Sequence, residues 1–306
     1  MYNQGLPRSF VIFVSIVVLI IGLLIGSIFM KRTTYPALIT SEEQFSNMVY
    51  DCASHYKTVI KFKTTMNLQS YDFDKLFREI MDKDTYIGCE LFRYDYHYTY
   101  DSQGIMDVEL RIQNPAWHRV VLTKLRVKQI ANKLRGLDRY DQIKAVHDYL
   151  VATNEYSYTI GSAFNALYVN KSACNGYAFS FYAIMEELGI PATVEYGGAH
   201  AWNLVELDGE WYNIDCTWDD RSGKTIYYDY FLKSNDEFDG HEHYSATAKR
   251  SYDMEKAGPS SYYHNIPPYK FIMIASSFGL AIGVYVLYRV IQKLKEDKER
   301  RAFYGN

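Results

Sequence analysis

The chain has 306 residues, 48% of them apolar and 23% charged, a globular balance that excludes a disordered, collagen-like or disulfide-dense chain. Lys and Arg number 33 against 36 Asp and Glu, and residues 31–270 alone carry net −7, so the basic face that nucleic acid requires is missing. The mean hydropathy of −0.26 reads as soluble, yet much of the apolar content is gathered near the two ends of the chain.

After a short tail (1–9), residues 10–30 are uncharged, and a helix needs about 20 apolar residues to cross a bilayer. Met30-Lys31-Arg32 follows with no small-residue cleavage pattern, so the segment reads as an uncleaved anchor. Residues 31–125 then read as an α+β accessory region. Ser41 before Glu42-Glu43-Gln44 opens a helix. Residues 58–62 read as a strand and 72–81 as a helix. Tyr94, Tyr96, Tyr98 and Tyr100 alternate with polar residues, and Met106, Val108, Leu110 and Ile112 do the same after Asp101–Gly104, which predicts a hairpin. The tyrosines read first as a half-buried amphipathic strand and second as a stacking face for a ligand. Cys52 and Cys89 could pair outside the cell, and the sequence leaves their geometry open.

From residue 119 the pattern turns helical, and a soft boundary near 125 opens a core at 126–245. Asp138 caps a helix with Ile143, Val146 and Leu150 on one stripe, on which His147 reads as a surface residue. Residues 246–269 read as a polar juxtamembrane linker. Residues 270–291 form a second candidate span, flanked by Lys270 and Arg289, and 292–306 form a basic tail. The two tails, with Arg289, hold seven basic residues against four on the facing flanks, which predicts both tails in the cytoplasm. The expected location is the plasma membrane, multi-pass, with residues 31–270 extracytoplasmic.

The chemistry concentrates between Ala166 and Asp220. Residues 177–188 are helical in pattern and stop at Gly189 and Pro191, which puts Cys174 at or just before a helix N-terminus. Free N–H groups there favour a thiolate and can hold an oxyanion. His200, Trp202 and Leu204 share one face of a strand, and Asp208-Gly209 predicts a two-residue hairpin turn. Leu207 then pairs with Glu210, and on a return strand through Trp218, His200 and Asp215 become same-face diagonal neighbours. Asp215 can orient His200, and His200 can deprotonate Cys174, the logic of thiol catalysis. Cys216 turns to the opposite face, across from Ala201, and reads as a packed small residue. Trp202 and Trp218 are candidate site walls, and Asn203 a candidate orienting residue.

Cys174-Asn175-Gly176-Tyr177-Ala178, His200-Ala201-Trp202-Asn203 and Trp211-Tyr212-Asn213-Ile214-Asp215-Cys216-Thr217-Trp218, in that order, resemble the transglutaminase-like superfamily. The spacings of 26 and 15 residues between Cys174, His200 and Asp215 are similar to its microbial, peptidase-like branch. The resemblance covers about 138–245. It implies a papain-like α+β core with Cys174, His200 and Asp215 as a triad, and says nothing of residues 31–125 or the spans. The fold expected for the whole chain is this core with the N-terminal α+β accessory region, flanked by two transmembrane helices.

Other motifs are weak. Residues 235–240 have calcium-loop spacing, but Ala246 stands where a bidentate Glu is needed. His241-Glu242-His243 does not fit a zinc helix pattern. The sequon at Asn170 lies four residues before Cys174, where a glycan would obstruct the site. No metal or cofactor is expected. The expected function is a membrane-anchored thiol enzyme acting on a protein or peptide substrate, with hydrolysis favoured. The alternatives are a cross-linking acyl transferase and a catalytically silent surface binding or sensor module.

Overall fold

The computed structural model describes residues 38–91, 93–113, 116–221, 225–241, 248–254 and 258–267. Both expected spans and both tails lie outside these residues, and among the described residues no helix is long and apolar enough to cross a membrane.

Ser41 accepts a hydrogen bond from the Gln44 N–H and opens helix α1 (Glu42–Ser54). Such a cap stabilises by about 1 kcal/mol. Strand β1 (Val59–Thr64) follows, then helix α2 (Phe73–Lys83), capped by Asp72 on the Lys75 N–H at 2.9 Å, and a short helix α3 (Thr85–Gly88). Strands β2 (Tyr94–Tyr100) and β3 (Met106–Ile112) form the expected hairpin, with Tyr94 opposite Ile112 and Tyr100 opposite Met106. The sheet is antiparallel in the order β1-β3-β2. Met106, Val108, Leu110 and Ile112 bury one face against Phe45, Leu76 and Ile80, so alternation on the sheet meets the apolar stripes of α1 and α2. Tyr96 and Tyr98 are half-buried against this core, while Tyr94 and Tyr100 are exposed. Cys52 and Cys89 are free buried thiols, and the Cys89 thiol donates to the Phe179 carbonyl at 3.4 Å, so the considered disulfide is not formed.

Residue 125, the expected boundary, falls inside helix α4 (Trp117–Leu134). Helix α5 (Arg139–Thr153) is capped by Asp138 on the Asp141 N–H at 2.8 Å. Two short parallel strands, β4 (Glu155–Tyr156) and β5 (Lys171–Ser172), lead into helix α6 (Cys174–Leu188), which Gly189 ends at φ +72°. An antiparallel sheet follows, β6 (Ala192–Gly197), β7 (His200–Leu207), β8 (Glu210–Ile214) and β9 (Phe231–Lys233), in that order, with α6 packed on β6 and β7. Leu207 pairs with Glu210, the expected register.

Two expectations are corrected here. The return strand does not reach Trp218. It stops at Ile214, because the Asp215 carboxylate takes the N–H groups of Thr217 and Trp218 at 2.8 and 3.2 Å and starts helix α7 (Cys216–Asp219). Cys216 is thus the first residue of a helical turn rather than a strand residue opposite Ala201. His147 is not a surface residue: α5 packs against α6, α7 and the turn Tyr263–Asn265, and every residue from Gln142 to Val151 is buried. The described part of the expected linker is fastened to the core. Tyr252 N–H donates to Leu232 O at 2.9 Å, and Ser260 N–H to Asp148 Oδ2 at 2.6 Å.

Candidate active site

Cys174 is the first residue of α6 and is 5% exposed. The helix can begin there because Gly176 has no side chain: a Cβ at this position would stand 1.8 Å from Ser172 Oγ, so only glycine lets the first turn rest on β5. Asn203 fixes the same helix from the other side, its Nδ2 donating to Ala178 O and Thr193 O, each at 3.1 Å. Asn203 is therefore a buried bracket between α6, β6 and β7.

His200 follows the tight turn Gly198-Ala199, where both residues have positive φ, +56° and +67°. The left-handed conformation costs a non-glycine residue about 1–2 kcal/mol, so Ala199 holds strain immediately before His200. His200 Nε2 donates to Asp215 Oδ2 at 2.6 Å; the Cys174 thiol, which donates to Asn175 Oδ1 at 3.4 Å, also interacts electrostatically with the His200 ring. With Nε2 committed to the carboxylate, Nδ1 is the nitrogen left for sulfur. Asp215 is 1% exposed, and its Oδ1 is occupied by the two α7 N–H groups. One carboxylate thus caps a helix with one oxygen and orients an imidazole with the other.

His241 also reaches this carboxylate, its Nε2 donating to Asp215 Oδ2 at 3.0 Å. Aromatic rings enclose the pair. His200 lies near-parallel to Trp202 at 6.1 Å and to Trp218 at 5.2 Å, while His241 packs against Trp218 at 4.2 Å and Phe238 at 4.0 Å. Gly240, at φ +81°, makes this packing possible, since a Cβ there would lie 2.7 Å from the Trp218 ring. Both expected wall residues, Trp202 and Trp218, therefore border the His200 ring.

The electrostatics follow from burial and these partners. Burial opposes charge on His200, but Asp215 and Cys174 outweigh it and raise its pKa from 6.5 to about 9. Burial would likewise raise Asp215, but hydrogen bonds from His200 and His241 outweigh it and hold the pKa at about 2. His200, Asp215 and His241 each place one ligand-type atom within 4.8 Å of the others. The contacts of 2.6 and 3.0 Å are hydrogen-bond lengths, shorter than the roughly 3.3 Å between tetrahedral zinc ligands, so the donor set is arranged for protons.

A second histidine–carboxylate cluster lies beneath α7. His147 Nδ1 is 2.9 Å from Asp148 Oδ1, and its Nε2 is 3.1 Å from Asp219 Oδ2. Lys144 pairs with Asp148 at 3.5 Å, and Asp219 also accepts from the Tyr230 N–H at 3.1 Å. The His147, Asp148 and Asp219 side chains are fully buried.

A cavity of about 190 Å³ opens beside His200, lined by Asp74, Phe77, Tyr94, Asn175 and Tyr196 through His200. A larger one of about 270 Å³, at Asp138–Asp141, Leu207, Asp208 and Tyr252, includes none of the residues around His200.

Sequence reasoning weighed His241 only as part of a zinc pattern and set it aside, and it did not pair His147 with Asp219. No fixed spacing links these residues to their carboxylates.

Residues 128–216 match the family model Transglut_core, described as the transglutaminase-like superfamily. No curated protein matches the chain. Two solved structures are each similar at 15% identity. A candidate cysteine protease from Cytophaga hutchinsonii aligns over 42% of this chain and 65% of its own, less than two thirds of its length, with a TM-score of 0.27. A structure described as a TGase aligns over 71% of this chain and 70% of its own, with a TM-score of 0.31. The residues matched by the transglutaminase-like superfamily model, 128–216, include Cys174, His200 and Asp215.

Proposed function

We propose that this protein is a membrane-anchored thiol hydrolase that opens peptide or glutamine side-chain amides through a thioester on Cys174. The observation that carries this reading is the His200–Asp215 hydrogen bond, with the Cys174 side chain acting on the same imidazole from the start of a 15-residue helix. Sulfur attacks the amide carbonyl carbon, and its proton resides on His200 Nδ1. The oxyanion forms beside the unpaired N–H groups that begin α6. As the C–N bond breaks, His200 returns the proton to the leaving amine, or to ammonia from glutamine. Water then attacks the thioester with His200 as base, releasing the acid and restoring the thiol. Asp215 keeps His200 in one orientation and stabilises its protonated form.

The test is trapping of the acyl-enzyme. The full chain in detergent micelles is incubated with glutamine peptides and hydroxylamine. The expected product is a peptide hydroxamate that disappears with Cys174→Ala. Absence of hydroxamate, or its persistence in that variant, contradicts the reading. Without hydroxylamine, uptake of solvent oxygen into the peptide indicates hydrolysis, whereas transfer to an added primary amine would make the protein a cross-linker. Peptide binding with no acylation at all would favour a silent binding module.

The location proposed for this chemistry is the outer face of the plasma membrane, with residues 10–30 and 270–291 as spans and both tails inside. The support is the length of the uncharged runs and the basic C-terminal tail. Protease added to intact cells is expected to cleave within 31–270, and full protection until lysis contradicts this orientation.

A further inference from the structure

The cavity beside His200 is built by both halves of the protein. Asp74 and Phe77 come from α2 and Tyr94 from β2, while Asn175 and residues 196–200 come from the core. At about 190 Å³ it is below the size of a pocket for a whole small-molecule ligand and suits one side chain. Three rings contribute to its walls: Phe77 and Tyr94 pack at 5.7 Å, and Tyr196 lines the same cavity. Asp74, Asn175, Tyr196 and His200 bring polar groups to this lining, so the cavity is about equally polar and apolar. The buried Tyr196 hydroxyl has no hydrogen-bond partner among the described residues. Asp74 forms no ion pair among them either, because Arg78, one turn further along α2, pairs with Asp72 at 3.7 Å. Arg78 also lies over the outer part of Tyr196, 5.6 Å from its ring, so the one carboxylate left for a ligand is that of Asp74. Burial, and next the Asp72 charge, raise the pKa of Asp74, with Arg78 opposing, which marks a carboxylate short of positive charge.

We infer that this cavity is a specificity subsite for a cationic side chain, lysine or arginine, lying next to the reacting amide in the donor peptide. This rests on the proposed acyl transfer at Cys174. The aliphatic stem packs on Phe77, Tyr94 and Tyr196, where aromatic faces also attract the cation. The charged end meets Asp74 and donates to the Tyr196 hydroxyl. The accessory region thereby selects substrate for a core whose reacting groups all lie elsewhere in the chain.

Binding can be measured without turnover. Full-length Cys174→Ala protein in micelles is titrated calorimetrically with blocked tripeptides that carry a central glutamine, with lysine or norleucine beside it. The lysine peptide is expected to bind at least tenfold tighter, and the advantage to shrink in 0.5 M NaCl. Asp74→Asn in the same background is expected to abolish the preference, and Asp74→Glu to retain most of it. Equal binding of both peptides to the Cys174→Ala protein overturns the subsite, as does a preference that survives Asp74→Asn. A third result also overturns it: Asp74→Asn changing only the use of a free amine as acceptor, which would assign the cavity to the other reactant. Failure of hydroxamate trapping with intact lysine preference would remove the proposed reaction and leave the subsite standing, so the two claims fail separately.

Discussion

Two histidine–carboxylate clusters flank the same four-residue helix, and they differ in how the imidazole nitrogens are used. Asp215 at the start of α7 holds His200 and His241, and Asp219 at its end holds His147. Both clusters are buried, and burial and carboxylate partners act on both. The difference is what lies at the far side of the imidazole. His147 spends both ring nitrogens on carboxylates, whereas His200 spends one and turns the other to a thiol beside a cavity. Burial and a carboxylate partner therefore do not define a site. A free ring nitrogen, a nucleophile and an opening do.

The largest expected effect is on the reactive side. Cys174→Ala is expected to abolish acylation. His200→Ala is expected to lower kcat/KM by about 10³-fold or more, and Asp215→Asn by about 10²–10⁴-fold. Asparagine is also a good N-cap, so Asp215→Asn keeps α7 and isolates loss of charge from loss of fold. Steady-state kinetics with circular dichroism separates the two. An unchanged rate in Asp215→Asn would remove the orienting role.

The sealed cluster should respond in the opposite way. His147→Ala leaves two buried carboxylates whose remaining ion-pair partner among the described residues is Lys144, beside the Ser260 and Tyr230 N–H groups, and is expected to cost about 3–5 kcal/mol of stability in denaturant unfolding. The fraction that remains folded should still alkylate at Cys174 at close to the normal rate. Loss of alkylation with unchanged stability would erase the distinction between the clusters.

On the proposed reading His241 acts as a positioning residue, through its hydrogen bond to Asp215. His241→Phe is expected to lower kcat by about tenfold with little change in KM, to move the His200 limb of the pH–rate profile, and to be partly rescued by His241→Gln. A purely structural role would lower yield or melting temperature and leave the pH profile in place.

The smallest effect is on stability against pH. The folded pKa of His200 is raised, so its contribution is complete below about 6.5 and is lost as pH rises through about 9. The folded pKa of Asp215 is depressed, so its contribution is complete above its ordinary 3.8 and is lost as pH falls toward about 2. Melting temperature should therefore decline between pH 6.5 and 9, and the decline should be shallower in His200→Gln. Identical slopes would mean that His200 gains no stabilising partner on folding.

Much of the reactive cluster was legible in the sequence because its geometry is local. Asp208-Gly209 sets the β7–β8 register, and the register brings His200 and Asp215 together. Gly176 and the Gly189-Ile190-Pro191 stop frame the helix that carries Cys174. The end of β8 was misread because alternation continues through Trp218, while the capping power of Asp215 decides the backbone. His147 was misread because a one-stripe pattern cannot reveal a helix covered on every side. His241 and the cavity lay beyond reach for a related reason. Their partners come from distant segments, and Asp74 meets Tyr196 only through tertiary packing of two regions with no shared motif.

The central claim is that His200 activates Cys174. Its most direct test is the rate at which iodoacetamide modifies the full-length protein at pH 7, followed by intact mass and peptide mapping, in the native chain and in His200→Ala. The account predicts modification at Cys174 well ahead of the buried Cys52, Cys89 and Cys216, and at least a tenfold slowing in the variant. Equal rates in the two proteins, or modification spread over all four cysteines, would contradict it.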